Sequence, residues 1–320
     1  AAFLAGLAGA APIETHISAI FVGRETAWKM KKAVALGFLD FSSLEARGHF
    51  CRRELELNQP AAPGIYRDVV AVTRAPDGNL QQGGGGEVVE WVLRMAPIPV
   101  GDFLDRVAAC GGLDDKLLDA MGDTVFALHQ VAPVAGLDAP AAMASVLAGN
   151  LRAARAAGLP EAAIAPLEAA LQAGLARLTP LLAARAAEGR IRRCHGDLHL
   201  GNLCLWQGKP TPFDALEFDE ALARIDTGYD LAFLLMDLDQ QAGRAAANRS
   251  TGPGTGSRPA PARPTCGLSP ASSLLHHRPP HNGFSCLRCR SPARRAPRCD
   301  AALRVASWTR GRPSARASSP

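Results

Sequence analysis

Residues 194–202 read Cys-His-Gly-Asp-Leu-His-Leu-Gly-Asn, and this stretch constrains the fold more than any other. Gly196 and Gly201, set around Asp197, argue for a loop, whereas two histidines four apart hold zinc together only on one face of a helix. A loop presenting Asp197 and Asn202 and a polar turn with one histidine tied into the core remain the two other readings. The stretch lies in a strand-like run, "RIRRCHGDLHLGNLCLWQGKPTPFDALEF". The segment after Asn202 reads as a short hairpin that delivers Asp214, and a returning strand can set that second carboxylate facing the asparagine.

Upstream, "IETHISAIFV" and "TAWKMKKAVAL" flank Gly-Arg-Glu and read as a hairpin. Lys29 and Lys31 share one face of its second strand and Lys32 points to the other. Next, Ser42 or Ser43 caps a helix with Glu45 in its first turn, ended by Pro60 and Pro63. Phe50, Glu54 and Leu57 fall on one face of that helix, so Glu54 is expected to point inward and Glu56 elsewhere. Two further strands, "YRDVVAVTR" and "EVVEWVLRM", are joined by a segment ending in Gly83–Gly86. Those glycines lack a following helix and a Lys-Ser/Thr, so they read as a hairpin connection and not as a phosphate loop. From Gly101 to Gly189 the pattern is helical, with breaks expected at Gly158-Leu-Pro160 and at Thr179-Pro180. A last helix is expected from about Tyr229 to Gln241.

The whole-chain charge of +5 is misleading. Residues 249–320 hold 13 Arg, no Lys and one acid, Asp300, a local charge of +12 that leaves residues 1–248 at −7. An acidic globular part gives no support for a nucleic-acid-binding domain. That tail also holds 11 of the 24 prolines and is read as disordered or as out-of-frame sequence. Its Cys286-x-x-Cys289 with His276, His277 and His281 lacks the second pair that a zinc site needs. Cys51, Cys110, Cys194 and Cys204 show no disulfide framework, which fits reduced thiols in a cytoplasmic protein. The opening "AAFLAGLAGAAP" is too short to span a membrane and reads as the stump of a longer N-terminus.

His195, Asp197 and Asn202 fit the pattern H-x-D-x-x-x-x-N, in which the aspartate receives a hydroxyl proton and the asparagine ligates magnesium. Asp214 supplies a second hard oxygen ligand, suited to Mg²⁺ and not to zinc. A phosphoryl-transfer site also needs a strand lysine and a helix carboxylate upstream. Lys29 and Glu54 are in place for this, with Lys31 the competitor for the lysine role.

With "PFDALEFDEALARIDTGYDLAFLL" following the loop, the chain resembles the aminoglycoside phosphotransferase family of the protein-kinase-like fold. "ETHIS", "KKAVALGFLDFSSLEAR", "ELELN" and "AFLLMDL" bring it closer to a bacterial subgroup in which the kinase-like part precedes a P-loop ATPase domain. The resemblance covers about residues 13–245. It implies an α+β fold of two lobes: a β-rich small lobe with one helix (13–95), and a mainly helical lobe with the catalytic loop (96–248), truncated before the tail (249–320). It implies ATP and Mg²⁺ as cofactors and a small-molecule hydroxyl acceptor, with no membrane and no specific nucleic acid. Asp197 would be the catalytic base, Asn202 and Asp214 the metal ligands, and Lys29 and Glu54 the phosphate-anchoring pair. Glu90, Trp91, Val92 and Leu93, within 90–95, would form the hinge that meets adenine. Asp230 would cap the helix it begins, and Thr15, His16 and Ser18 would stand in for a glycine-rich phosphate loop. Glu217 and Asp219 are read first as solvated loop residues, with contact to the metal or substrate as the alternative. The alternative is a catalytically impaired nucleotide-binding module, part of a bifunctional phosphotransferase/ATPase.

Overall fold

The computed structural model describes residues 1–36 and 39–250. The Cys286/Cys289 and His276/His277/His281 groups lie outside the described residues. Strand alternation builds the small lobe. After α1 (Ala2–Ala8) come β1 (Ile13–Glu14), β2 (Ser18–Val22) and β3 (Ala27–Lys31), then the short pair β4 (Ala35–Leu36) and β5 (Leu39–Asp40). Helix α2 (Leu44–Asn58) precedes β6 (Tyr66–Arg74), β7 (Leu80–Gln82) and β8 (Glu87–Met95). The strands form one antiparallel sheet in the order β1-β2-β3-β8-β6-β7. One sheet face carries Phe21, Trp28, Val72 and Val92, covered by Leu4 of α1. The apolar opening segment is therefore part of the packed small lobe, which extends N-terminal to the expected start at residue 13.

Helix α2 covers the other face. Ser43 caps it, accepting from Ala46 N, and its buried positions are Arg47, Gly48, Cys51, Glu54 and Asn58. Phe50 and Leu57 are only half-buried. Gly48 is required mid-helix because a Cβ there would lie 2.7 Å from the Trp91 ring, so α2 and β8 approach too closely for a side chain.

A second cluster joins the lobes: Ile65, Tyr66, Leu93 and Met95 of the small lobe meet Cys204 and Phe213. Beyond it lie α3 (Leu104–Ala109), α4 (Asp115–Val131), α5 (Ala139–Ala156) and α6 (Glu161–Ala187). The break expected at Thr179-Pro180 does not occur, and α6 runs through both Pro166 and Pro180. Pro180 removes one backbone donor, but Thr179 Oγ1 donates to Leu175 O at 2.9 Å, and the surrounding Ala and Leu favour the helix.

Strand β9 (Ile191–Arg193) leads into the loop, followed by β10 (Leu203–Trp206), β11 (Lys209–Pro212), α7 (Glu220–Ala223), β12 (Arg224–Asp226), α8 (Thr227–Ala242) and α9 (Arg244–Arg249). β9 pairs with β12, and β10 with β11. The lobe's core gathers Leu104, Leu118, Met121 and Val125 with Leu198, Leu200, Leu203, Leu234 and Leu238. Residues 249 and 250, expected to begin the tail, belong to this lobe. Arg249 pairs with Asp119 at 2.7 Å, and Ser250 is buried over Gly122, where a Cβ would lie 2.7 Å from its carbonyl oxygen. Among the described residues, no helix is long and apolar enough to cross a membrane.

Candidate active site

The 194–202 stretch is a loop, as its glycines require, and helix α8 fixes it by the backbone. Asp230, fully buried, accepts from Gly196 N at 2.9 Å and from His195 N at 3.3 Å, and pairs with His129 Nε2 at 2.8 Å. It does not cap its helix; Asp226 does, accepting from Gly228 N. Asp237 accepts from Leu200 N at 2.9 Å. His195 Nε2 donates to Phe213 O at 2.9 Å while Nδ1 accepts from Asp197 N, an arrangement for a neutral ring. Burial pushes its pKa down, against the pull of Asp230, and keeps it neutral. His195 is thus a core anchor. His199 lines the loop, with Nδ1 accepting from Gly201 N and Nε2 3.6 Å from Asp197 Oδ2.

Asp197 presents a carboxylate that is 55% exposed. Partial burial pushes its pKa up, but His199, His195 and Asn202 more than offset this and hold it below the usual carboxylate range. Asn202 Nδ2 donates to Asp197 O and Oδ2, at 2.9 and 3.0 Å. That orientation leaves its Oδ1 for a cation. Phe213 N donates to Asn202 O, extending the β10–β11 ladder so that Asp214 emerges beside Asn202. Asp214 has a φ of 62°, in the left-handed region that few residues but glycine adopt and that aspartate enters more readily than most, and its N–H donates to Tyr66 Oη at 2.9 Å.

From the small lobe, Lys29 Nζ lies 2.7 Å from Glu54 Oε1 and 2.5 Å from Asp214 Oδ1. Burial alone would lower its pKa, but Asp214 and Glu54 drive it well above the ordinary value. Burial raises Asp214 while Lys29 more than compensates, so its carboxyl lies below the usual range. The neighbouring lysine is also in play. Lys31 Nζ lies 2.6 Å from Glu54 Oε2 and pairs with Glu217, and its pKa is pushed up to about 12 against burial by those two carboxylates. Glu217 is buried, not solvated as expected; burial pushes its carboxyl up and Lys31 opposes this. Asp219 caps α7.

Two further expectations need correction. Glu90, Trp91, Val92 and Leu93 lie in the interior of β8, paired along β6, with Val92 and Leu93 also opposite Met30 and Lys29 of β3. Val92 and Leu93, paired on both sides, offer no free edge to adenine; Glu90 and Trp91 are paired with β6, and the Glu90 carboxylate is held by Arg47. The chain leaves the sheet after Met95. The turn at Thr15–Ser18 does not offer its hydroxyls either. Thr15 Oγ1 donates to Ser18 O and accepts from Ser18 N, and Ser18 Oγ is buried without a partner.

The carboxylates outnumber the lysines: Glu54, Asp214 and Glu217 face Lys29 and Lys31, with Asp197 beyond. An excess of hard oxygen with a carbonyl donor suits a divalent cation such as Mg²⁺. Among the described residues, His129, Cys194 and Asp230 also form a close set of ligand-type atoms. There Asp230 already serves the loop amides, and Cys194 Sγ donates to Ile225 O. The four cysteines in the described residues are free thiols, as their spacing suggested.

Comparison with known proteins gives related results. An uncharacterized protein of Mycobacterium tuberculosis (strain ATCC 25618 / H37Rv), Rv2004c, is 28% identical over 233 residues, 71% of this chain and 45% of its own length. An uncharacterized protein of Mycobacterium bovis, Mb2027c, matches equally. The chain thus spans about half the length of these curated relatives. Among solved structures, aminoglycoside phosphotransferase APH(3'')-Id from Streptomyces rimosus superposes with a TM-score of 0.42 at 20% identity, over 78% of this chain and 89% of that one. The structure of the same protein in complex with ADP and streptomycin gives 0.42 at 19%. A family model described as the phosphotransferase enzyme family matches residues 112–262. Through that segment, which holds the 194–202 loop, Asp214 and the Asp230 helix, the chain matches the phosphotransferase enzyme family.

Proposed function

We propose that the protein is a Mg²⁺- and ATP-dependent phosphotransferase that moves the γ-phosphoryl group to a hydroxyl of a small molecule. The observation that carries this reading is Lys29, held between Glu54 and Asp214, opposite a loop whose Asp197 is exposed and ionised. Lys29 is the phosphate-facing lysine because its second partner, Asp214, belongs to the metal-ligand set, whereas Lys31 is 1% exposed between two buried carboxylates. Glu54 orients Lys29. Asp197 orients the acceptor hydroxyl and receives its proton late in the transfer, which suits a carboxylate of low basicity in a loose transition state. Asn202 Oδ1 and Asp214 would hold Mg²⁺, which when bound neutralises charge on the phosphates. Catalysis is then positioning and charge neutralisation, with no covalent enzyme intermediate. The adenine edge is assigned to residues 96–100, where the chain leaves β8. Pro97 and Pro99 lack an N–H, so Ile98 carries the one backbone donor of residues 97–99.

A second reading, a nucleotide-binding module without turnover, is favoured by the closed Thr15–Ser18 turn, which offers no glycine-rich cradle. Association with a P-loop ATPase domain is supported by the sequence resemblance alone. The test is ADP release with Mg²⁺ and ATP across a panel of amino, sugar and nucleoside alcohols. Magnesium-dependent release that needs an acceptor supports transfer. Nucleotide binding with no release against any acceptor supports the second reading.

A further inference from the structure

Residues 214–220 read Asp-Ala-Leu-Glu-Phe-Asp-Glu, and their acidic groups at 214, 217 and 220 each meet a different cation of the small lobe. Asp214 pairs with Lys29 at 2.5 Å, Glu217 with Lys31, and Glu220 with Arg53 at 2.8 Å. Arg53 sits on α2 directly before Glu54. Other groups of the segment also reach the small lobe. Ala215 N donates to Asn58 Oδ1 at 2.8 Å, and the Phe218 ring stands edge-on to Phe41, 6.5 Å between centroids. Phe41 in turn lies under Lys31 Nζ, 5.4 Å from its ring centre. The helical lobe holds the same segment by the backbone at its middle. Leu216 N donates to His195 O at 2.9 Å, and Leu216 O accepts from Arg193.

Resting on the phosphotransferase reading, we propose that residues 214–220 form an acidic strap that closes the small lobe onto the helical lobe. Its outer carboxylates, Glu217 and Glu220, are positioning residues. The argument is one of what remains paired. Were Asp214 to hold a metal and Lys29 the phosphates, the two would give up their mutual contact. Glu54 then keeps Lys31 on its other oxygen, Lys31 keeps Glu217, and Arg53 keeps Glu220, so α2 stays seated while the inner pair exchanges partners. Leu216, anchored to β9 and the catalytic loop, is the fixed point about which both sides are held. Neither Glu217 nor Glu220 needs to touch the nucleotide for this.

The test compares Glu217→Gln, Glu220→Gln, Arg53→Gln and the double variant Arg53→Gln/Glu220→Gln with the full chain. Two readouts are used: amide hydrogen exchange, and affinity for Mg²⁺·ADP by calorimetry. Each single substitution should speed exchange both in α2 and in 214–220, and weaken Mg²⁺·ADP binding by on the order of ten-fold. The effect of the double variant should fall clearly short of the sum of the two singles, because both remove the Arg53–Glu220 contact, while Arg53 also pairs with Glu56, and Glu220 with Arg193 and Arg224. Arg53→Gln keeps the test open if Glu217→Gln fails to fold, since the Arg53 side chain is already 27% exposed. Exchange in α2 unchanged in the Gln variants, or fully additive effects at 53 and 220, would overturn the strap. If the wild type binds no Mg²⁺·ADP while the exchange of the two segments remains coupled, the strap stands and the phosphotransferase reading fails.

Discussion

The two halves of the site are held by different physics. On the helical-lobe side, the loop is fixed by backbone amides donating to buried carboxylates of α8, Asp230 and Asp237. On the small-lobe side, Lys29, Lys31, Glu54, Asp214 and Glu217 are held by one another, side chain to side chain. Backbone anchoring fixes the loop and leaves the Asp197 carboxylate about half exposed at its surface. Ion pairing gives a set whose members can trade one partner for another, as the proposed binding of a cation and phosphates would require. On the proposed function, the site would be stiff where a hydroxyl is aligned and exchangeable where charge arrives.

The largest effect that would break this comparison lies in the backbone-anchored half. Asp230→Ala strands the N–H groups of His195 and Gly196 and removes the partner of His129. It should cost about 3–5 kcal/mol in urea unfolding; a loss below about 1 kcal/mol would mean that α8 does not hold the loop. Asp237→Ala, which strands Leu200 N, should cost about 1–3 kcal/mol by the same measurement. The ion-paired half should differ in its response to pH. Burial already holds the Glu217 carboxyl above its ordinary value; in Lys31→Met it loses the main cation that opposes this, so its folded-state pKa rises further above its unfolded one. Stability from such a carboxyl is fully present below the unfolded pKa and is lost as pH rises through the folded one. The variant should therefore gain stability relative to wild type as pH falls from 7 toward the ordinary glutamate range. A flat difference across that window would contradict a buried Glu217 that Lys31 holds down. The smallest effect belongs to neither half: Arg155→Ala removes pairs with Glu161 and Glu168 on the exposed α5–α6 surface, and the melting midpoint should not move.

What the sequence made legible follows the same division. Alternation marked β6 and β8 to the residue, Ser43 was one of two expected caps, and strand parity put Lys29 and Lys31 on one face. The hairpin after Asn202 brought Asp214 back because register is local. Long-range burial was not legible. Glu217 reads as solvated in an acidic run, and its three-residue spacing from Asp214 and Glu220 was the only hint that the run faces the small lobe's cations. Asp230 sits where a capping residue is expected, yet its partners are more than thirty positions upstream. The adenine hinge expected at Glu90–Leu93 falls on residues that also read as strand, and of these Val92 and Leu93 are paired on both sides. Pro180 suggested a break, but one missing donor does not end a helix of strong formers.

The central claim is that Asp197 acts on the acceptor and Asp214 on the cation. The most direct test is Mg²⁺-dependent, acceptor-dependent ADP release and Mg²⁺·ADP binding, measured side by side in Asp197→Ala and Asp214→Ala. Asp197→Ala should keep binding and lose turnover by roughly 10²–10⁴-fold, while Asp214→Ala should lose both. Turnover surviving in Asp197→Ala would contradict the account.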